Sequence, residues 1–225
     1  MAESTQFVEH HIQQKILNIL MHHEVLRFSE LKPKELESNI FMYHLKSLIR
    51  QGYVDKCAAG YLLAPKGLHY VDILSNTNLK PRKQPKILAI LVVKNDAGLV
   101  LMAKRKVQPY INLLMFPSGK QHIIETINEH TSRESLEKLG VNIDFTYKGM
   151  AEIVILEKGI IISHVIAHVQ YASADISLPK DDDRFSYSWY DLNNTGNDLF
   201  MPGTKEIYRE LAKSDKFLLS MRFNN

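Results

Sequence analysis

Apolar residues recur at three- and four-residue steps near the start of the chain, at Val8, Ile12, Ile16, Ile19 and Leu20. That period marks one face of an α-helix, so the pattern predicts a first helix ending near the His22-His23 pair. Ser29 is placed to cap a short second helix beginning at Glu30, with Pro33 in its first turn. Ser38 or Asn39 is placed to cap a third, in which Phe41, Leu45 and Leu48 form the apolar face. Tyr43, Lys46, Ser47 and Arg50 form the other face, and Gly52 stops the helix. Tyr53-Val54 and Tyr61 to Leu63 flank a small turn at Ala59-Gly60 and read as a hairpin. Pro65 then opens a last short helix through Leu74.

The pattern changes after a polar stretch, SNTNLKPRKQPK, at positions 75–86, which has the chemistry of a linker. Beyond it come strand-sized apolar runs at Ile87 to Val93, Leu99 to Ala103, Leu113 to Phe116, Ala151 to Leu156 and Ile160 to Tyr171. Asn95-Asp96-Ala97-Gly98 and Lys158-Gly159 are turns between them. One helix is expected from about Ile124 or Glu125 to Leu139, closed by Gly140, and another from Pro202 to Lys213. Ser188-Trp189-Tyr190 begins a closing segment. Two domains follow, at 1–75 and 87–225, with 76–86 as linker, and the second reads as α+β with a central mixed sheet.

Composition changes this picture little. Among 225 residues, 45% are hydrophobic and 24% charged, with a formal net charge of +3, and the mean hydropathy is -0.19. These values fit a folded chain and exclude disordered or collagen-like classes. Any nucleic-acid contact must therefore come from a local patch rather than an overall field. The one cysteine, Cys57, excludes an intrachain disulfide and a cysteine-built zinc site. No apolar run is long enough to cross a bilayer and the N-terminus lacks a leader pattern, so a soluble cytoplasmic protein without membrane partners is expected. His10, His11, His22 and His23 lack carboxylate companions at ligand spacing and read as solvated histidines.

The segment from Gly119 to Val141 carries the most chemistry. On a helix, Glu134, Glu137 and Lys138 stand at i, i+3 and i+4 and project from one face. Pyrophosphate chemistry needs neutralisation of two phosphates, which magnesium held by several carboxylates supplies. Here two of the three groups are carboxylates and the third is an ammonium. The competing reading makes Glu129, Arg133, Glu134, Glu137 and Lys138 an exposed, salt-bridged helix face.

Gly119, Glu125, Arg133, Glu134, Glu137, Gly140 and Val141 fall in register with the Nudix box, and this part of the chain resembles that family over about residues 86–213. The resemblance implies an α/β/α sandwich with Glu134 and Glu137 as magnesium ligands and Ser118 of the preceding loop beside them. It assigns catalytic roles to Glu134, Arg133 and Glu125, with Arg133 orienting carboxylates by pairing with Glu129 or Glu137. Three positions depart from the pattern: Ser118 replaces a loop glycine, Ser135 an apolar residue, and Lys138 a glutamate that usually binds metal. Lys138 repels magnesium, so metal affinity and hydrolysis are expected weak or absent, and Lys138 and Lys120 become phosphate contacts.

The run of three helices and a hairpin resembles winged helix-turn-helix regulators of the ArsR and MarR kind, most closely over Asn39 to Val54, Gly60-Tyr61 and Pro65-Lys66-Gly67. This implies a third helix in the major groove of duplex DNA, reading with Ser38, Asn39, Tyr43, His44, Lys46 and Arg50, and Lys56 on the wing. Such domains also serve as dimerisation or docking modules, and a homodimer is among the expected partners. Two functions follow. One is a DNA-binding transcriptional regulator with a nucleoside diphosphate derivative as effector. The other is an active magnesium-dependent Nudix hydrolase with an accessory winged helix, drawing a further carboxylate from Asp181, Asp182 or Asp183, which otherwise form a solvated turn.

Overall fold

The computed structural model describes residues 8–75, 83–195 and 199–224. The chain divides into two compact units, Met1–Gln84 and Pro85–Asn225. Most of the expected linker, positions 76–82, lies outside the described residues, and Lys86 already belongs to a strand.

The first unit runs α1 (His11–Leu20), α2 (Phe28–Leu31), α3 (Ser38–Arg50), β1 (Val54–Cys57), β2 (Gly60–Leu63) and α4 (Pro65–Asp72). Ile16, Leu17, Phe41, Leu45 and Leu48 are fully buried in one core with Leu31 and Val54. Each such side chain contributes about 1.5–3 kcal/mol by leaving water. Helix α2 begins earlier than expected, because Glu30 Oε2 accepts the Arg27 N–H at 2.7 Å, and Ser29 lies inside it rather than at its cap. It ends at Leu31 because Pro33 holds the preceding Lys32 extended, at ψ 118°. Glu37 occupies the cap position of α3, so Ser38 is its first helical residue. Strands β1 and β2 pair antiparallel from Val54↔Leu63 to Cys57↔Gly60.

The second unit contains β3 (Lys86–Lys94), β4 (Val100–Arg105), β5 (Leu114–Met115), β6 (Ser118–Lys120), α5 (Ile127–Leu139), β7 (Thr146–Glu157), β8 (Ile160–Ser173), β9 (Phe185–Tyr190), α6 (Thr204–Lys213) and β10 (Phe217–Asn224). Eight strands form one mixed sheet in the order β10-β7-β8-β3-β4-β5, with β6 on β3 and β9 on β4. β3 runs parallel to β8, and β10 parallel to β7. Alternation along β3 divides the core: Ala89, Leu91 and Val93 pack with Leu139 of α5, while Ile90 and Val92 pack with Ile207 of α6. The sheet is therefore sandwiched between the two helices.

Sequence patterning missed β6 and β10. It also predicts a β3–β4 hairpin that barely forms, with a single register pair, Lys94↔Val100. The strands part because β6 pairs with β3 at Leu88 to Ile90, and β4 pairs with β9 along its length.

Candidate functional site

Helix α5 starts at a capping box: Thr126 Oγ1 accepts the Glu129 N–H at 3.3 Å and Glu129 Oε2 accepts the Thr126 N–H at 2.8 Å. It cannot begin at Ile124 or Glu125, because Ile124 sits at φ 71°, outside helical space. Glu125 therefore approaches the helix from the preceding turn, and Glu129 serves the cap rather than Arg133. Gly140, at φ 74°, ends the helix.

Strand β6 presents different residues on its two sides. Gly119 pairs with Ala89, whose face packs against α5, and Ser118 pairs with Ile90, whose face packs against α6. Glu134 fills the space left by the missing Gly119 side chain: a Cβ there would stand 1.9 Å from its carboxylate atoms. Glu134 is 2% exposed, and its Oε2 has no hydrogen-bond partner. The competing view of α5 as an exposed charged face thus fails at its central residue, Glu134, although Glu129 and Glu137 lie open.

His130 lies one turn before Glu134 and is completely buried. Its Nε2 stands 3.2 Å from Gly119 O, which requires an N–H at Nε2 and leaves Nδ1 as a bare acceptor. Burial lowers its pKa, and the nearby Glu134 opposes that shift only partly. Nothing in the sequence pattern set His130 apart except its position four residues before Glu134.

Arg133 organises the carboxylates. Its Nε and Nη2 donate to the two oxygens of Glu125 at 2.5 and 2.9 Å, its Nη1 to Glu134 Oε1 at 2.7 Å and to Glu137 Oε2 at 3.3 Å, and Nη2 also to Lys120 O at 3.0 Å. The bond from Arg133 is the main reason that the Glu125 carboxyl is pulled down to about 2, with the His122 N–H assisting. The same pairing with Glu125, followed by that with Glu134, raises the Arg133 pKa.

Lys138 projects elsewhere, with its ammonium 5.4 Å from the centre of the Phe185 ring. Tyr187, two residues on, is buried, and its hydroxyl is pushed up to about 12 by that burial and then by Asp182, Asp181 and Glu134. Asp181 accepts the Tyr187 N–H at 3.0 Å and pairs with Lys106. Asp182 accepts the N–H groups of Arg184 and Phe185 at 2.7 and 2.6 Å. These two aspartates build a turn and are committed to it. Ser135, expected as a packing loss, is buried and donates to Val141 O at 2.7 Å.

The arrangement does not fit the expected magnesium site. Among the described residues no group of three or more acidic, histidine or cysteine side chains is placed to hold a metal ion. Glu125, Glu134 and Glu137 converge on a guanidinium instead. Ser118, expected beside them, lines an apolar cavity on the other side of β6 with Leu88, Ile90, Phe116 and Val165. Lys120 is exposed on that same side. Beside the cavity, Lys86 donates to Ser163 at 2.9 Å. Its pKa is lowered by burial and then by Lys120 and Arg105. Positive charge thus gathers at the cavity without an acidic partner for Lys86 among the described residues.

In the first unit, Asn39, Tyr43, Lys46 and Arg50 form one exposed stripe along α3, with Ser38 exposed at its start. His44 is only 8% exposed, packed on His10, and so cannot join them. Ser47 is buried too, rather than on the polar face. Lys56 is exposed on β1 and lies 5.9 Å from the Tyr61 ring centre. No helix among the described residues is long and apolar enough to cross a membrane.

No family model matches the chain, and no curated protein does. Solved structures do match. A MutT mutator protein from Bacillus halodurans superposes with a TM-score of 0.52 at 20% identity, covering 62% of this chain and 90% of that one. A MutT NUDIX hydrolase from Burkholderia pseudomallei gives 0.50 at 24% identity, covering 57% and 99%. The NUDIX domain of Shewanella oneidensis NrtR, solved as a cocrystal with ADP ribose, gives 0.49 at 13% identity, covering 65% and 98%. The first two likenesses establish a Nudix hydrolase fold over about 60% of the chain.

Proposed function

We propose that the chain joins this Nudix fold to a winged helix-turn-helix and acts as a DNA-binding transcriptional regulator, with a nucleoside diphosphate derivative as its effector. The observation that carries the reading is the grip of Arg133 on Glu125, Glu134 and Glu137, with Lys138 in the remaining position of that helix face. Carboxylates neutralised by an arginine suit a site that recognises phosphate with cationic side chains and leaves it intact. Lys120 then contacts the diphosphate, and the cavity behind Ser118, with Lys86 at its side, receives the rest of the ligand, while Lys138 stays turned toward Phe185 on the α5 side of the sheet. In the first unit the stripe Asn39, Tyr43, Lys46 and Arg50 supplies groove contacts and Lys56 a phosphate contact. The effector alters DNA affinity to the extent that it prefers one of two conformations.

A thermal-shift screen of ADP-ribose, NADH and nucleoside triphosphates, with and without magnesium, tests this directly. Stabilisation by a diphosphate ester that does not require magnesium is the expected result. Stabilisation only with magnesium, accompanied by turnover, overturns it.

One observation favours a second reading, an active Nudix hydrolase. Glu134 Oε2 is buried and unpartnered beneath Gly119, and a buried carboxylate oxygen without a partner is costly unless something binds it. Brisk magnesium-dependent hydrolysis lost in Glu134→Gln would establish that alternative.

A further inference from the structure

Three imidazoles that are separate in the sequence stack where α1 meets α3. The His10 and His44 rings lie 3.9 Å apart at an interplanar angle of 32°, and His10 and His11 lie 4.7 Å apart at 22°. Tyr43 closes edge-on against His44 at 5.1 Å. His44 is buried, and its Nδ1 has no hydrogen-bond partner. His10 is bonded differently, since its Nδ1 accepts the Ile12 N–H at 3.2 Å and so caps α1.

We propose that the His10–His11–His44 stack is a proton-operated latch holding the start of α1 against α3, closed when the imidazoles are neutral and released when they charge.

Two independent features of the geometry demand the neutral form. A protonated His10 Nδ1 carries a hydrogen and cannot accept from Ile12, so charging removes the cap, and it also sets a cation at the positive end of a helix. A protonated His44 acquires a buried N–H without an acceptor, a few ångströms from two further imidazoles. Among the described residues no carboxylate acts on His44. The groups acting on His44 are His10 and His11, and burial, the largest cause, followed by those two, lowers its pKa from 6.5. The remaining charged side chains of the two helices point elsewhere: Lys15 pairs with Glu35, and Lys46 and Arg50 belong to the exposed stripe. Glu9, just before α1, is exposed.

The consequence for regulation rests on the reading that α3 carries the DNA-binding face. Tyr43 belongs to both the stripe and the stack, so opening the latch disturbs the surface that would meet the groove. Acid would then weaken duplex binding through α3, against the general gain in positive charge.

Amide spectra of the nitrogen-15-labelled full chain, titrated from about pH 8 to about pH 5.5, test the latch across the range where histidine charges. Amides of Asn39 to Lys46 are expected to shift together, with a midpoint below the ordinary histidine value. His44→Phe should remove most of that shift, leaving only the part that follows the His10 cap, and His22→Gln should leave it unchanged. If His44→Phe does not fold, His10→Asn takes its place, because asparagine retains a capping oxygen without the ring. Amides of α3 that stay still, or that shift equally in the variants, overturn the proposal. Duplex affinity measured alongside separates the two readings. A shift in α3 without DNA binding at any pH upholds the latch and defeats the regulator. DNA binding with an unresponsive α3 does the reverse.

Discussion

Glu134 occupies the side-chain space that Gly119 leaves empty. A Cβ on Gly119 would stand 1.9 Å from the Glu134 carboxylate, so the glycine of the loop and the central carboxylate of the helix are complementary parts. Gly119 needs no unusual backbone angle for this, and its role is room for the carboxylate.

Gly119→Ala is therefore expected to destabilise the second unit by about 1–3 kcal/mol, the usual cost of overpacking a filled core. In a Glu134→Ala background the same change should cost much less, since the clash partner is gone. Urea unfolding of the four variants measures the coupling. Equal costs in both backgrounds would mean that the contact has no energetic weight.

Arg133 sets the acid behaviour of the site. The Glu125 carboxyl lies near 2 in the folded chain, chiefly through its bond to Arg133, against an ordinary 4.5. Because the folded value is depressed, the stabilisation from this pair is complete above about pH 4.5 and is lost as pH falls toward about 2. Arg133→Met should lower stability at neutral pH and flatten its fall between about pH 5 and about pH 3. Unfolding midpoints across that range provide the check, and parallel curves for wild type and variant would count against the pairing.

By the resemblance, Lys138 stands where a metal-binding glutamate is expected. Lys138→Glu exchanges a cation for a carboxylate on the helix face that already bears Glu134 and Glu137. Magnesium affinity should rise by about tenfold or more, equivalent to ~1.4 kcal/mol. Calorimetric titration of magnesium into both proteins reads this directly. An unchanged affinity would show that Arg133, rather than Lys138, controls metal access.

For the first unit, duplex binding should weaken steeply with salt. Removing two cations from the α3 stripe with Lys46→Ala and Arg50→Ala should reduce the slope of log affinity against log salt by up to about 1.8, at about 0.9 per phosphate neutralised. Fluorescence anisotropy at several salt concentrations measures that slope. A slope that does not change places the DNA contacts elsewhere than α3.

The amino-acid sequence alone determined the parts of this protein that depend on local periodicity and spacing. The helical period from Val8 to Leu20 and along α3, the switch to strand-sized runs after position 86, the Gly140 stop and the register from Gly119 to Val141 are all properties of neighbouring residues. Pattern reading works there because a helix or strand face is fixed by intervals of a few positions. It failed where partners come from far along the chain. Strand β6 is only three residues long and exists because β3 offers it an edge. Strand β10 is defined by its parallel register on β7. Glu134, which spacing alone could not separate from an exposed charged row, is buried because Gly119 arrives above it from another element. His44 left the expected DNA-reading set because His10, thirty-four positions earlier, packs on its ring. Spacing gathered the carboxylates of α5 on one face, but tertiary structure decided that they meet on Arg133, since a side chain's charge partner is set by what packs against it.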